Sequence, residues 1–193
     1  MHDALIEYIN TYTTTTLTES EIDIIKNIFT PRRIRKHQYF LQEGDVCRYM
    51  GFIVKGAMRQ YSIDDKGGEH IIRLYIENWW AGDRESFTML TPSNYNIDAW
   101  EETDMLTITQ ASVTEFNSIP ALNELARNLD QKHSFAFLKR INSAISLSAE
   151  QRYAELLKTY PEFLQRFPQH VIASYLGITK ETLSRVRTQA LRK

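Results

Sequence analysis

At Thr109 the hydrophobic pattern of this 193-residue chain changes period. Before it, from about Arg33, β-branched and aromatic residues come in short runs separated by glycines; after it, apolar residues recur every three or four positions. A strand-forming stretch followed by a helix-forming one, without interleaving, selects an α+β chain over a doubly wound parallel sheet. "GFIVKGAMRQYSIDDKGGEHIIRLYI" sets strand-like residues on both sides of "DDKGG", which predicts a hairpin with a glycine-bearing turn. Gly44, Gly51 and Gly56 punctuate the strands before it, and "NIDAWEETDMLTIT" supplies two more around an acidic turn. Many short strands at close intervals predict a sandwich, roll or barrel. Upstream, Thr18 and Glu21 make a capping box for a helix through Ile22, Ile25 and Phe29, which Pro31 ends, and the "TYTTTT" run is the loop before it.

Past Thr109, "ASVTEF" reads as a short helix, and Pro120 suits the first position of a long one reaching about Ser148. Leu122, Leu125, Leu129, Ala136, Ile141, Ile145 and Ser148 form its stripe, with Phe135, Phe137 and Leu138 adding bulk. A helix of that length outruns what a small domain can cover, so part of the stripe is expected to meet a second copy of itself; the alternative is a helix lying across the strand domain. Shorter helices follow: "SAEQRYAELLKTY", "EFLQRF", "QHVIASYL" and "KETLSRVRTQALR". In the last two, Val171, Ile172, Leu176, Ile178, Leu183, Val186 and Ala190 are placed for burial between the helices. Gly177 provides a left-handed cap and Thr179 an N-cap, with Glu181 in the first turn of the second helix. The result is a helix-turn-helix.

Charge separates the same regions. Residues 1–150 carry 15 Lys and Arg against 21 Asp and Glu, a balance of −6, while residues 151–193 carry 8 against 3, a balance of +5. A basic terminal module on an acidic body is suited to a polyanion. On the second helix of the pair, Lys180, Ser184 and Arg187 share one row, and Glu181, Arg185 and Thr188 the next, away from Leu183 and Val186. In a major groove of double-stranded DNA, Arg185 can reach guanine O6 and N7, and Glu181 can accept from a cytosine amino group. Thr179, Lys180, Ser184 and Arg187 suit phosphates or mixed contacts.

Other classes fit less well. The five histidines, at 2, 37, 70, 133 and 170, are scattered, and no HExxH, P-loop or nucleophile elbow occurs, so neither an enzyme nor a metal site is expected. Cys47, the single cysteine, excludes an internal disulfide and a cysteine-held iron–sulfur cluster, and it reads as a small buried hydrophobe. No apolar run approaches the ~20 residues of a membrane span, and "MHDALIEYIN" lacks the layout of a secretory signal; a cytoplasmic chain with no membrane partner is expected.

Two stretches carry a resemblance. "FLQEGDVCRYMGFIVKGAMRQY", Phe40 to Tyr61, and "GITKETLSRVR", Gly177 to Arg187, resemble the opening roll and the recognition element of the Crp/Fnr family of bacterial transcription regulators. The resemblance implies an antiparallel, cyclic-nucleotide-binding-like β-roll over residues 1–118, a dimerisation helix over 119–148 and a winged helix-turn-helix over 149–193. It also implies a homodimer on an inverted-repeat operator, RNA polymerase as a further partner and a small-molecule effector.

Family members that bind cyclic nucleotides use a Gly-Glu pair on the ribose and an Arg-Ser pair on the phosphate. Here Gly82 and Asp83 stand near the first pair, while Ser93, Asn94 and Tyr95 occupy the place of the arginine, with Arg84 as a substitute from the other end of the loop. The candidate effector pocket is therefore Gly82, Asp83, Arg84, Glu85, Ser86, Asn94, Tyr95 and Asn96. Without the guanidinium a cyclic nucleotide is disfavoured, no cofactor is expected, and another small ligand or none remain open. Haem would need His37, His70 or His133, each read as structural, and Trp79 and Trp80 read as core or lid residues. The competing class is a ligand-binding regulatory or scaffold module whose helical tail serves assembly.

Overall fold

The structure, a computed structural model, describes residues 1–190. Arg192 and Lys193, counted among the terminal charges, lie outside the described residues. Two helices open the chain, α1 (His2–Tyr12) and α2 (Glu19–Ile28). The capping box of α2 is formed: Thr18 Oγ1 accepts from the Glu21 N–H, and Glu21 accepts from the Thr18 N–H. No side chain caps α1, which left its start without a local signal in the sequence. The threonine loop has a second task. Thr14 and Thr15 hold the Glu124 carboxylate through hydroxyls and backbone N–H groups, which pulls its pKa down to about 2.

Eight strands follow: β1 (Thr30–Ile34), β2 (Tyr39–Leu41), β3 (Tyr49–Lys55), β4 (Met58–Ile63), β5 (Glu69–Tyr75), β6 (Trp80–Ala81), β7 (Asn96–Ala99) and β8 (Thr103–Thr109), with α3 (Arg84–Met89) between β6 and β7. They form two antiparallel four-stranded sheets, ordered β1-β8-β3-β6 and β2-β7-β4-β5. The predicted hairpin is β4–β5, pairing Ile63 with Glu69, and the Asp64 carboxylate accepts from the Lys66 and Gly68 N–H groups of its turn. Pro31 lies in edge strand β1, where an absent N–H is tolerated.

Both sheets are covered on both faces. Between them, Phe40, Ile53, Met58, Tyr75, Ile97 and Met105 fill the roll. Cys47 is buried there, as expected, and burial pushes its thiol pKa up. Behind the first sheet, Leu5, Ile9 and Ile25 of α1 and α2 pack on Phe52 and Leu106. Behind the second, Tyr61, Ile71 and Leu74 share a core with residues of the terminal helices.

A 3-10 turn (Gln110–Ser112) and α4 (Val113–Ser118) lead into the long helix α5 (Pro120–Ser146). It ends two residues before the expected boundary because Ser148 belongs to the next helix, where its hydroxyl and Gln151 make a second capping box. The stripe also divides. Leu122 and Leu125 are buried against the roll, whereas Ala136, Ile141 and Ile145 are exposed. Four helices complete the described chain: α6 (Ala149–Thr159), α7 (Pro161–Arg166), α8 (Gln169–Leu176) and α9 (Lys180–Ala190). Among the described residues this module holds no strand, so the wing implied by the resemblance is not formed within residues 149–190.

Candidate nucleic-acid interface and effector pocket

The sharp turn from α8 to α9 depends on Gly177, in the left-handed region at φ 64°. Its N–H bonds the Ser174 carbonyl, and the Ile178 N–H reaches back to Ala173 at 3.0 Å, closing the helix end. Arg152 of α6 donates to the Leu176 carbonyl at 2.7 Å and so satisfies another group of that last turn. Across the turn, Thr179 Oγ1 accepts from the Thr182 N–H at 3.2 Å and caps α9.

Leu183 and Val186 are buried against Val171, Ile172 and Leu176 of α8. Ala190, expected with them, is exposed, because it lies on the last described turn of the helix. Burial of that face turns the opposite one outward. Thr179, Lys180, Glu181, Ser184, Arg185 and Arg187 are all exposed, and among the described residues Lys180, Arg185 and Arg187 form no ion pair. The Glu181 carboxylate is held below its ordinary range by its own backbone N–H and by the Thr179 hydroxyl. The exposed face thus offers cations on its flank and a carboxylate with Arg185 at its centre, the group types that contact phosphates and base edges.

Several residues that hold this module in place escaped the sequence reading. Ser174 Oγ accepts from the Ile71 N–H at 2.9 Å and donates to the Glu69 carbonyl at 3.0 Å, stitching α8 to β5. Arg166 pairs with both Glu77 and Glu101, and the Trp100 indole N–H donates to the Arg166 carbonyl at 3.1 Å. Burial alone would raise the Glu77 pKa; the Arg166 guanidinium and the Gly56 N–H reverse this and hold it below the usual carboxylate range. Apart from Gly56 and Glu77, 21 residues apart, these partners are separated by 65 to 105 residues, so no local pattern announces them.

The eight residues of the expected effector pocket are only partly convergent. Gly82, at φ 148°, passes so close to Met50 that a Cβ would meet its sulfur at 2.4 Å. Asp83 is the N-cap of α3, accepting from the Glu85 and Ser86 N–H groups, and the buried Ser93 hydroxyl donates to it at 2.7 Å. Ser86 is buried and donates to the Thr91 carbonyl, while its oxygen accepts from the Cys47 N–H. Asn96 faces Glu43, whose N–H it accepts at 3.1 Å, and the Tyr95 N–H returns to Ser93 Oγ. Arg84 turns outward to pair with Asp130 on α5, and Glu85 and Asn94 are exposed. The acid that would meet a ribose is therefore bonded within the fold, and the loop's arginine is engaged elsewhere.

A large cleft, about 620 Å³, shares no lining residue with these eight and runs between α5, β5, the β5–β6 turn and the terminal module. Trp79 and Trp80 line it, half-buried. Trp79 packs on Tyr160 and Phe163 at centroid distances of 5.3 and 5.8 Å, and Trp80 on Phe52 at 5.3 Å, which joins both to the core. No helix of the described residues is long and apolar enough to cross a membrane.

Residues 31–118 match the cyclic nucleotide-binding domain family. The fumarate and nitrate reduction regulatory protein of Vibrio cholerae is 27% identical over 186 residues, covering 89% of this chain and 73% of its own, and the anaerobic regulatory protein of Haemophilus influenzae is 26% identical over the same length. FixK2 from Bradyrhizobium japonicum superimposes with a TM-score of 0.70 at 19% identity, covering 84% of each chain. The c-di-GMP-responsive global regulator CLP of Xanthomonas campestris superimposes at 0.69 with 14% identity, over 91% of this chain and 92% of its own. Residues 31–118 thus carry a cyclic nucleotide-binding domain, and the roll, the long helix and the terminal helix-turn-helix make the chain similar along most of its length to these regulators.

Proposed function

We propose that this chain is a Crp/Fnr-family transcriptional regulator that binds DNA sequence-specifically as a homodimer, with α9 in the major groove and an inverted-repeat operator, and that it does not hold a cyclic nucleotide in the family's usual way. The observation that carries this reading is the outer face of α9, where Lys180, Glu181, Ser184, Arg185 and Arg187 stand exposed on a helix anchored by Leu183 and Val186. Two such helices in successive grooves sit about 34 Å apart, so the two half-sites repeat with the symmetry of the protein. Support for the homodimer comes from the second half of α5, where Phe135, Leu138 and Ile145 are 62%, 63% and 79% exposed. Against cyclic-nucleotide binding stand the internal bonds of Asp83 and the engagement of Arg84 by Asp130. An effector of another kind and contact with RNA polymerase remain part of the proposal.

The test is selection of bound sequences from random DNA with the full chain, with and without cyclic nucleotides. An inverted repeat should emerge equally in both conditions, and affinity should fall steeply with salt. Arg185→Ala should relax the preference at one position per half-site by about 1–3 kcal/mol, whereas Lys180→Ala should weaken all sequences alike and lower the salt slope by about 1. Failure to enrich any sequence overturns the reading.

A further inference from the structure

A second basic run, Arg32 to His37, lies far from α9 in sequence. It closes β1 and turns toward β2. Two of its arginines are occupied: Arg33 pairs with Glu102 and Asp104, and Arg32 lies over the rings of Phe40 and Tyr49 at 5.4 and 5.1 Å. Arg35 and Lys36 differ from them. Both are exposed, and among the described residues neither forms an ion pair. The exposed Glu102 carboxyl is held below its usual range first by Arg33 and then also by Lys55 and Arg35, so several cations share one acid at this corner of the roll.

The turn that carries these two cations is fastened to the terminal module. Gln38 Oε1 accepts from the Arg35 N–H at 3.0 Å, the His37 N–H donates to the Ala99 carbonyl at 2.7 Å, and the Ala99 N–H donates to the Gln38 carbonyl at 3.0 Å. His37, in the left-handed region at φ 64°, sets its ring against Trp100 with 5.8 Å between centroids. Trp100 also packs on His170, at 6.1 Å, and donates to the Arg166 carbonyl. Gln169 and His170 are the exposed first residues of α8, which begins at Pro168 without a capping side chain. Trp100 therefore joins the basic turn of the roll to the first helix of the helix-turn-helix. The eight residues of α8, about 12 Å of helix, stand between that point and the start of α9.

The sheet order decides which flank this is. In β2-β7-β4-β5 the basic turn leads into β2 at one edge, whereas α5 meets the other edge through Arg140, which donates to the Ile71 and Ile72 carbonyls of β5. Three strand spacings, about 14 Å, separate the two edges. With α5 at the two-fold axis of the proposed homodimer, the turn lies on the side away from that axis. The first helix of a helix-turn-helix crosses the phosphate backbone, so a cation beyond the start of α8 meets phosphates outside those the helix pair contacts. We infer that Arg35 and Lys36 bind phosphates of the DNA flanking the operator, so that the roll itself widens each half-site outward. Such contacts position the protein and read no bases. The inference rests on the DNA binding proposed above.

The experiment uses the full chain and the inverted repeat recovered by selection, in two duplexes: one ends at the operator, and the other extends about ten base pairs, one helical turn, on each side. Fluorescence anisotropy at several salt concentrations should show the parent binding the longer duplex about tenfold more tightly, with a steeper salt dependence. Arg35→Gln combined with Lys36→Gln should remove most of that gain and lower the salt slope on the longer duplex by about 3 to 4, the value for two phosphates per protomer. Affinity for the shorter duplex and the selected sequence should stay as in the parent. Both side chains are exposed and the turn is held by backbone groups and Gln38, so the circular dichroism spectrum should not change. Equal affinity of the parent for the two duplexes, or an equal loss on both in the variant, overturns the inference and leaves DNA binding standing. No binding of either duplex by the parent overturns the function itself, and the inference with it. Unchanged DNA affinity of the variant with reduced transcription in a purified system overturns it too, and assigns the turn to an acidic protein surface.

Discussion

Arg59 shows how much a single residue of the roll can decide. Its guanidinium meets both Asp98 oxygens at 2.9 Å, contacts Glu69, and lies over the rings of Tyr61 and Trp100 at 4.4 and 5.3 Å. Arg59 and Asp98 are both buried, so removing one leaves the other charged and unpaired, whereas the half-exposed Glu69 adds little. Arg59→Ala should cost about 3–5 kcal/mol in urea denaturation, and Arg59→Met combined with Asp98→Leu considerably less. Equal losses in the two variants would contradict that account. The helix ends teach a related lesson at this scale. The Thr18–Glu21 box and the Gly177 turn were legible because donor and acceptor lie within three to five residues of one another. Asp83 was legible only as an acid near a glycine, since the partner that occupies it, Ser93, arrives from across a loop.

Among the elements, α5 differs most from its sequence pattern. Its apolar residues form one stripe of which part was expected to leave the domain, and they do serve two surfaces: Leu122 and Leu125 face the roll, while Leu138, Ile141 and Ile145 are exposed. Ser134, Leu138, Ile141 and Ile145 follow the alternating four- and three-residue spacing of a coiled-coil seam. Leu138→Lys or Ile145→Asp should convert the proposed homodimer to a monomer, seen by light scattering, with little loss of helical signal because both side chains are exposed within the protomer. A monomeric parent chain, or a double variant that remains dimeric, would exclude this seam. The strands show the converse limit. "NIDAWEETDMLTIT" does form two strands around a turn, but β7 pairs with β2 and β4 while β8 pairs with β1 and β3, so the neighbours in sequence sit in different sheets. Local alternation specifies that a segment is a strand; the choice of partner comes from covering both faces of each sheet.

For the whole molecule, the question is what keeps the terminal module against the roll. Arg166, bridging Glu77 and Glu101, is the main polar fastening. The Glu77 pKa is lowered in the folded state, so its contribution is fully present above the ordinary carboxylate range and is lost as pH falls through the depressed value. Acidification in that window should loosen the module, visible as a change in the fluorescence of Trp79 and Trp100, and Arg166→Met should abolish the step; a step that persists in the variant would assign it to other carboxylates. The apolar part of the same junction reaches further. Tyr61, Ile71 and Leu74 of the roll lie in one core with Tyr153, Leu156 and Phe163 of the module. Charge and hydrophobic period divide the chain into separate parts, but heat should not. Calorimetry should show a single cooperative transition, with matching calorimetric and van't Hoff enthalpies. A fragment cut after residue 147 would leave the outer face of β4 and β5 bare and precipitate, so the terminal helices also act as the lid that keeps the roll in solution.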